Sequence, residues 1–521
     1  MYRQVCVLKS GHSQPWRSIS QNTEKILNGN TTRNKEWQEA KPFKAIPGPT
    51  QYQLIRSFFP GGMFYKLPVN DYLLKTREMY GDLYVLPGFL GRQKWLMAFN
   101  ADDFLPVLRS EGIWPYRRGL ETMNYYRTVH RKDAFEDSVG LVGTNGEDWG
   151  KLRSTLNPIL MQPKNAKLYL NNMLEVSDEF LERIREIRDP KTLEMPETFE
   201  DEIKRLTFES VAVIALNRQL GLIRRNRNDK EAKLLFDSLR SFFDLSLMLD
   251  FGLPIWKYYK TKQFYQQMKN YDVIREICTK YVNEALDRIE NDKTPRKDNE
   301  EKSVLEKLLK VDRNVAKVIA TDLITGGVDT TSSTLAGILL CIAKNPDKQE
   351  KLRQEICTIL PQKDSLLTID NMKNLPYLRA SIKEGMRIYP IATGTVRTNQ
   401  GDIVMSGYQI PKGQEIVLNH NFLMNTEQYC PKAKEFIPER WLRSEDSEYA
   451  PMHSFLFMPF SHGPRSCVGK RIVEMELEIT IARLVRNFHI EFNYSTENAF
   501  KNQLINVPAI PLKFKFSDIQ Q

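Results

Sequence analysis

The chain has 521 residues, 41% of them hydrophobic and 27% charged, with a formal net charge of +10 at pH 7. That length can bury a large core and a whole cofactor. The six cysteines (Cys6, Cys278, Cys341, Cys357, Cys430 and Cys467) are scattered without a CxxC or other metal-site spacing, which excludes a disulfide framework, and no Lys/Arg block is interleaved with aromatics, which argues against nucleic-acid binding.

Residues 1–40 carry Arg3, Lys9, Arg17, Lys25, Arg33 and Lys35 against Glu24, Glu36 and Glu39. Residues 1–23 hold no acid and several serines, and their longest apolar run is far short of the ~18–20 residues that span a bilayer. This is the composition of a mitochondrial transit peptide, with a disordered tail as the plainer alternative. No strong linker divides the remainder, so residues 41–521 are expected to form one domain. Further along, Trp149–Gly150–Lys151–Leu152–Arg153 puts two donors, Trp149 and Arg153, one helical turn apart.

Leu245 to Lys262 combines Leu247, Met248, Leu249, Phe251, Leu253, Ile255 and Trp256 with Lys257, Lys260 and Lys262. A Trp beside lysines suits a membrane interface, and the same segment could serve as a lid. Val311 to Asn345 then reads as one long helix, with apolar residues at helical spacing, and Pro346 stops it. Lys317, Asp322 and Asp329 argue against a membrane span. In its middle stands Gly326–Gly327–Val328–Asp329–Thr330–Thr331. Two glycines inside a helix cost about 1 kcal/mol each relative to alanine, so some gain should offset them. Either they open room for a ligand or they let a neighbouring helix pack close.

Tyr377 to Tyr389 is a further helical stretch, with Glu384 and Arg387 on one face and Arg379 and Lys383 four apart. Arg440 follows in Phe436–Ile437–Pro438–Glu439–Arg440–Trp441. Short alternating patterns suited to hairpins occur at Gly401–Ile410 with Ile416–Asn419, and at Pro511–Phe516. The most informative stretch is Phe460–Ser461–His462–Gly463–Pro464–Arg465–Ser466–Cys467–Val468–Gly469, ahead of a helical pattern from Lys470 to Phe488. Cys467 would sit near that helix's N-terminus, where free N–H groups favour a negative sulfur. Gly463 and Gly469 let the backbone approach a flat ligand, Phe460 can pack on it, and Arg465 can pair with an anion on its edge. A single sulfur beside a large planar cofactor describes thiolate-ligated haem. His462 reads as a loop residue.

Phe460, Gly463, Arg465, Cys467 and Gly469 fill every fixed position of the haem-binding loop of the cytochromes P-450, the haem-thiolate monooxygenases. The chain resembles that family from about Pro47, in the proline segment Ile46–Pro47–Gly48–Pro49, to its C-terminus. The resemblance implies a mainly α fold with a small β lobe and one long central helix over haem b, with Cys467 as the axial iron ligand. It implies that Trp149, Arg153 and Arg397 bind haem propionates, and that Phe460, Arg465 and Gly469 belong to the cofactor site. Asp329 and Thr330 match the family's alcohol–acid pair, which supplies protons for the use of O2. Glu384, Arg387 and Arg440 resemble its structural Glu–Arg–Arg network.

Arg379 and Lys383 resemble the mitochondrial branch, where two basic residues here receive an acidic ferredoxin, itself reduced by an NADPH-dependent reductase; Lys470 and Arg471 add charge nearby. The implied protein is a peripheral enzyme on the matrix side of the mitochondrial inner membrane. The family's substrate pocket falls at segments such as Asp137–Leu141 and Ile391–Thr395. Leu160–Met161–Gln162–Pro163–Lys164 adds to a resemblance to insect mitochondrial members, leaning toward the xenobiotic-metabolising branch over ecdysteroid-type hydroxylases. A haem-thiolate isomerase or lyase and a non-enzymatic haem carrier or sensor are the competing classes. The intact Asp329–Thr330 pair and the basic patch argue against both.

Overall fold

The computed structural model describes residues 35–135, 139–224, 229–292, 301–363, 365–442 and 452–520. Most of the expected transit segment (1–34), with Cys6, and Asp137 and Ser138 of the expected pocket segment lie outside the described residues. The principal helices are α1 (Gly146–Leu160), α2 (Leu170–Ile187), α3 (Phe199–Ala215), α4 (Asp229–Ser246), α5 (Lys262–Asn291), α6 (Arg313–Lys344), α7 (Pro346–Ile359), α8 (Pro376–Ile388) and α9 (Lys470–Asn487).

Helix α6 is the axis of the fold. Its 32 residues reach about 48 Å. Asp312 caps it, accepting the backbone N–H groups of Asn314 at 2.7 Å and Val315 at 2.9 Å. Helices α3, α5 and α8 pack around it, which is why it is apolar on nearly every side. Among the described residues it is the one helix long and apolar enough to cross a membrane, but 78% of that apolar window is buried inside the protein. Its composition is that of a core helix. Pro346 ends it as expected and at the same time opens α7 in its first turn.

The two mid-helix glycines do different work. A Cβ on Gly327 would come within 2.6 Å of Val211 on α3, so this glycine permits close helix packing. Nothing lies within 4 Å of a Cβ built on Gly326, which leaves open space beside the helix.

The β structure is small and partly differs from the expected hairpins. Strands β1 (Leu83–Leu86), β2 (Trp95–Ala98), β3 (Thr395–Thr398) and β6 (Glu415–Leu418) form one sheet in the order β1-β2-β6-β3. Residues 401–410 do form a hairpin, β4 (Ile403–Met405) with β5 (Tyr408–Ile410). The 416–419 run does not join it. It lies at the centre of the larger sheet as β6, parallel to β2 and antiparallel to β3. A nearly continuous buried run is what a central strand requires. Pro511–Phe516 is not a hairpin either: the strand starts at Lys515 (β10, Lys515–Asp518) and pairs with β7 (Phe488–Glu491), directly after α9. Pro511 has no N–H to offer a ladder. A last hairpin joins β8 (Phe500–Asn502) to β9 (Asn506–Pro508).

The segment between α4 and α5 folds over the body, but Trp256 does not face outward as expected. It is buried, stacks on Phe264 at 5.4 Å, and donates its indole N–H to the Leu249 carbonyl at 3.0 Å. The ring satisfies its polar atom inward, and Lys260 lies over it at 4.9 Å. The exposed apolar side chains of this segment are Met248, Leu253, Ile255, Tyr258 and Tyr259.

Glu476 of α9 is buried with the Ser210 hydroxyl of α3 as its polar neighbour, and burial pushes its carboxyl up to about 8. The native state therefore keeps a proton that the unfolded chain releases above its ordinary value of 4.5. The stability linked to that proton is complete below about pH 4.5 and is lost as pH rises through about 8. Glu476→Gln is expected to fold and to lose less Tm than the parent across this window in paired calorimetric scans. An unchanged slope would assign the titration elsewhere.

Candidate active site

The loop before α9 holds Cys467 by short-range bonds. The Cys467 N–H donates to the Phe460 carbonyl at 2.9 Å, and the Ser466 N–H to Gly463 at 3.0 Å. Gly463 has φ +75°, a conformation that favours glycine. The thiol lies deep in the fold, yet its surface is open because it lines a cavity of about 540 Å³. Burial pushes its pKa up; N–H groups of Gly469 and Lys470, at the start of α9, and the charges of Arg153 and Arg117 pull it down. Gly326 and Thr330 of α6, and apolar groups including Ile319, Leu323, Ile391 and Val468, line the same cavity.

Guanidiniums crowd one part of it. Arg465 donates to the Pro115 carbonyl at 3.1 and 3.0 Å, to Thr144 at 3.2 Å and to the Asn145 side chain at 2.7 Å, tying the cysteine loop to the segment before α1. Its cation lies 3.8 Å from the Trp149 ring centre. Arg153 donates to the Ser466 carbonyl at 2.8 Å, and Arg397 on β3 reaches Ser461 and the His462 carbonyl. Arg117, absent from the sequence expectations, joins them. Burial, reinforced by Arg397, brings Arg117 down to about 10; burial, reinforced by Arg117, Arg153 and Arg397, brings Arg465 down to about 9. The acid facing this group is Glu111, 2.6 Å from Arg397 Nε but off the hydrogen-bond axis. The Nε groups of Arg153 and Arg397 and both Glu111 oxygens lack hydrogen-bond partners. Four guanidiniums beside one carboxylate call for a further polyanionic partner. Haem, with two propionates beside an iron that takes a thiolate, fits this donor set and this cavity.

His420 also lines the cavity and went unnoticed in the sequence, where a lone histidine carries little signal. Burial lowers its pKa to about 4, so it is neutral, with Nδ1 3.1 Å from the Leu456 carbonyl.

The structure separates Asp329 from Thr330. Thr330 faces the cavity, its hydroxyl donating to the Gly326 carbonyl at 2.7 Å. Asp329 turns toward α3, where its Oδ1 lies 3.0 Å from Lys204 Nζ; Oδ2 has no partner. Lys204, also buried, lies 3.2 Å from Glu200, and Glu200 lies 3.3 Å from the half-exposed Arg240. Burial raises the Asp329 pKa, opposed by Lys204. This lysine went unnoticed because its partner lies more than a hundred residues away.

Glu384, Arg387 and Arg440 come together. Glu384 accepts two bonds from Arg387 at 2.9 Å and one from Arg440 at 2.9 Å, plus the Trp441 indole at 2.8 Å and the Ile437 N–H at 3.1 Å. Arg387 also donates to the carbonyls of Met424, Ala433 and Glu435.

Arg379, Lys383 and Lys470 line one surface depression of about 330 Å³ that also touches Phe460 and His462 of the cysteine loop. Arg471 lies beside it, 3.4 Å from Glu474. Arg379 is already committed, to Glu478 at 2.9 Å and to the Met372 and Lys373 carbonyls, whereas Lys383 is exposed, with its Nζ 5.9 Å from the Trp441 ring centre.

A second cavity, of about 680 Å³, adjoins the first. Arg117, Val142, Ala392, Gly394, Thr395 and Ser461 line both. It extends beneath the α4–α5 segment at Leu247, Phe251 and Gly252. That segment is tied down: Asp250 accepts the Thr122 N–H at 2.7 Å and its hydroxyl at 2.8 Å, Arg92 reaches the Leu249 carbonyl at 3.2 Å, and Lys257 pairs with Glu121 at 2.9 Å.

A cysteine under a long core helix, with a guanidinium cluster beside it, defines a haem-thiolate enzyme. A family model described as Cytochrome P-450 matches residues 46–516, and the chain belongs to that family of monooxygenases. It is 50% identical to cytochrome P-450 CYP12A2 of Musca domestica over 94% of this chain and 93% of the relative. It is 48% identical to a Drosophila melanogaster protein named "probable cytochrome P-450 12e1, mitochondrial", over 92% and 93%. A second Drosophila melanogaster relative, "probable cytochrome P-450 12d1 proximal, mitochondrial", is 43% identical over 96% of each chain.

Cys467→Ala is expected to abolish the thiolate-type absorption band of the reduced carbon monoxide complex. Cys341→Ala should keep it, since Cys341 is a buried thiol on α6 whose pKa burial drives up. Absorption spectra of both variants decide the ligand.

Proposed function

We propose that this enzyme inserts one oxygen atom of O2 into a lipophilic substrate inside the mitochondrion, with electrons delivered by an acidic ferredoxin. The observation that carries this reading is the cavity in which Cys467, Thr330 and an apolar lining meet. Cys467 would hold the iron of bound haem, and that group would supply the dioxygen activation and oxygen transfer. Arg117, Arg153, Arg397 and Arg465 would hold its propionates. The Thr330 hydroxyl donates its own hydrogen to the Gly326 carbonyl, so what it offers the open space beside Gly326 is an acceptor that can position a proton donor there. Asp329, Lys204, Glu200 and Arg240 form a line of ionisable groups from the buried helix toward the surface, which suits proton supply to that turn.

The basic depression beside the cysteine loop is the proposed ferredoxin face. Its cations line it together with Phe460 of the cysteine loop, so docking there would give a short electron route, and charge would steer an acidic carrier. The relatives' names and the basic, acid-poor N-terminus support mitochondrial import. Met248, Leu253, Ile255, Tyr258 and Tyr259, exposed beside lysines, suit shallow contact with the inner membrane.

Thr330→Ala is expected to keep haem and substrate binding but to release most reducing equivalents as hydrogen peroxide. The check is the ratio of product to NADPH consumed in a system reconstituted with a mitochondrial ferredoxin and its reductase. Unchanged coupling would remove Thr330 from proton supply.

Lys383→Glu is expected to slow ferredoxin-dependent reduction about tenfold at low salt, with the gap closing as ionic strength rises. Stopped-flow reduction across a salt series tests this, with substrate-binding spectra as the control. Arg379→Glu is the poorer probe, because it sets two carboxylates together at Glu478. Equal low-salt rates for Lys383→Glu and the parent would move the docking face elsewhere.

A further inference from the structure

The contacts that fasten the α4–α5 segment to the body are of unequal kind. The Lys257–Glu121 pair and the Tyr258 hydroxyl, which donates to the Leu90 carbonyl at 3.1 Å, lie toward the surface. Asp250 lies inside, 3% exposed. It stands in a wide turn, Leu247–Phe251, closed by the Gly252 N–H on the Leu247 carbonyl at 3.0 Å. Leu247, Phe251 and Gly252 of this turn form part of the wall of the second cavity. The two hydrogen bonds that Asp250 accepts both come from neutral groups of Thr122, its N–H at 2.7 Å and its hydroxyl at 2.8 Å. That hydroxyl lies 3.1 Å from the Tyr271 hydroxyl of α5. Gln267 donates to the same phenol at 3.1 Å and to the Ser246 hydroxyl of α4 at 2.9 Å. The charged groups that face Asp250 are committed elsewhere. Glu121 pairs with Arg118 at 2.8 Å and Lys257 at 2.9 Å, and Arg92 donates to the Leu249 and Gly252 carbonyls.

Thr122, Tyr271 and Ser246 each carry a hydroxyl that can donate or accept, and Ser246 and Tyr271 are themselves neighbours. Turned one way, these hydroxyls point their hydrogens toward a carboxylate. Turned the other way, they accept the hydrogen of a neutral acid and pass the bond along. The closed interface thus serves either charge state with the same side chains, and burial decides between them. It brings Asp250 up to about 7, opposed by the two Thr122 bonds; Glu121 adds to the rise and Arg92 opposes it. Lifting the segment puts the same carboxyl in water, where its ordinary value is 3.8. We propose that Asp250 and Thr122 form a proton-operated latch on the cover of the second cavity, closed by a proton on Asp250 and loosened when that proton leaves to water. The sign follows from linkage. The closed position holds the proton more tightly, so the added closure is complete below about pH 3.8 and is lost as pH rises through about 7.

Amide hydrogen exchange of the substrate-free, full-chain holoenzyme reads the latch directly. Peptides over residues 247–257, corrected for the intrinsic pH dependence of exchange, should lose about tenfold in protection between about pH 6 and about pH 8. That is the change linkage gives for a proton held at about 7 in one position and at 3.8 in the other. Peptides from α3, in the core, report global opening, which Glu476 also biases. Asp250→Asn keeps the shape without the titration and should hold the parent's pH 6 protection throughout. Thr122→Ser keeps the hydroxyl and the N–H and should retain the parent's fall. A parent without that fall, a fall that survives in Asp250→Asn, a fall lost in Thr122→Ser, or an equal fall in α3 would each overturn the latch. So would failure of Asp250→Asn to fold, because a neutral group at this position is the closed form's own state. No turnover is measured, so the result stands apart from the reading of the enzyme as a monooxygenase.

Discussion

The arrangement depends on charge balance in a buried place. Arg117, Arg153, Arg397 and Arg465 are drawn together around one carboxylate, Glu111, and two of these guanidiniums fall well below their ordinary pKa. Such a cluster opposes folding unless an anion completes it. The segments that carry it come from across the chain: the stretch before α1, α1 itself, β3 and the cysteine loop. A dianionic cofactor bound there would do more than occupy a cavity, since it would remove the repulsion among four otherwise unrelated elements. Folding and cofactor capture would then be thermodynamically linked.

A second constraint holds the cysteine loop's surroundings rigid. Glu384 is fully enclosed and takes five hydrogen bonds, from Arg387, Arg440, Trp441 and Ile437. Removing one partner from so buried a set costs several kcal/mol, about 3–5. Helix α8 is tied to α9 on its other side through Arg379 and Glu478. The cysteine thus sits at the end of a helix that is braced by a second helix, itself locked by a buried ion network.

The parts of the site visible in the sequence were those written in contiguous residues. The cysteine loop and the α6 glycines are local motifs, and the ends of α6, α8 and α9 fall within two residues of the apolar periodicity. Residues whose meaning depends on distant partners stayed hidden. Lys204 meets Asp329 across a helix interface, Arg117 lies in a segment without periodicity, and β2 pairs with β6 across more than three hundred residues. Trp256 misled because composition reports what a side chain can do at a surface and says nothing about whether its N–H has found a carbonyl. The separation of Asp329 from Thr330 has the same origin: neighbours on a helix point about 100° apart, so an adjacent pair serves two different interfaces.

The tie between Asp250 and Thr122 carries a temporal consequence. Two hydrogen bonds to one carboxylate and the Lys257–Glu121 pair link the α4–α5 segment to the chain at residues 121 and 122, and Arg92, just before β2, links it to a second stretch. Burial also brings the Asp250 pKa up to about 7. Parting Asp250 from Thr122 strands a buried acid, whereas the Arg92 and Lys257–Glu121 contacts add to the tie without that penalty. The covering segment is therefore expected to release as a cooperative unit. Traffic into the deep cavity would then be metered by whole-segment excursions, and the residence time of a guest would be set by how long that fastening stays shut.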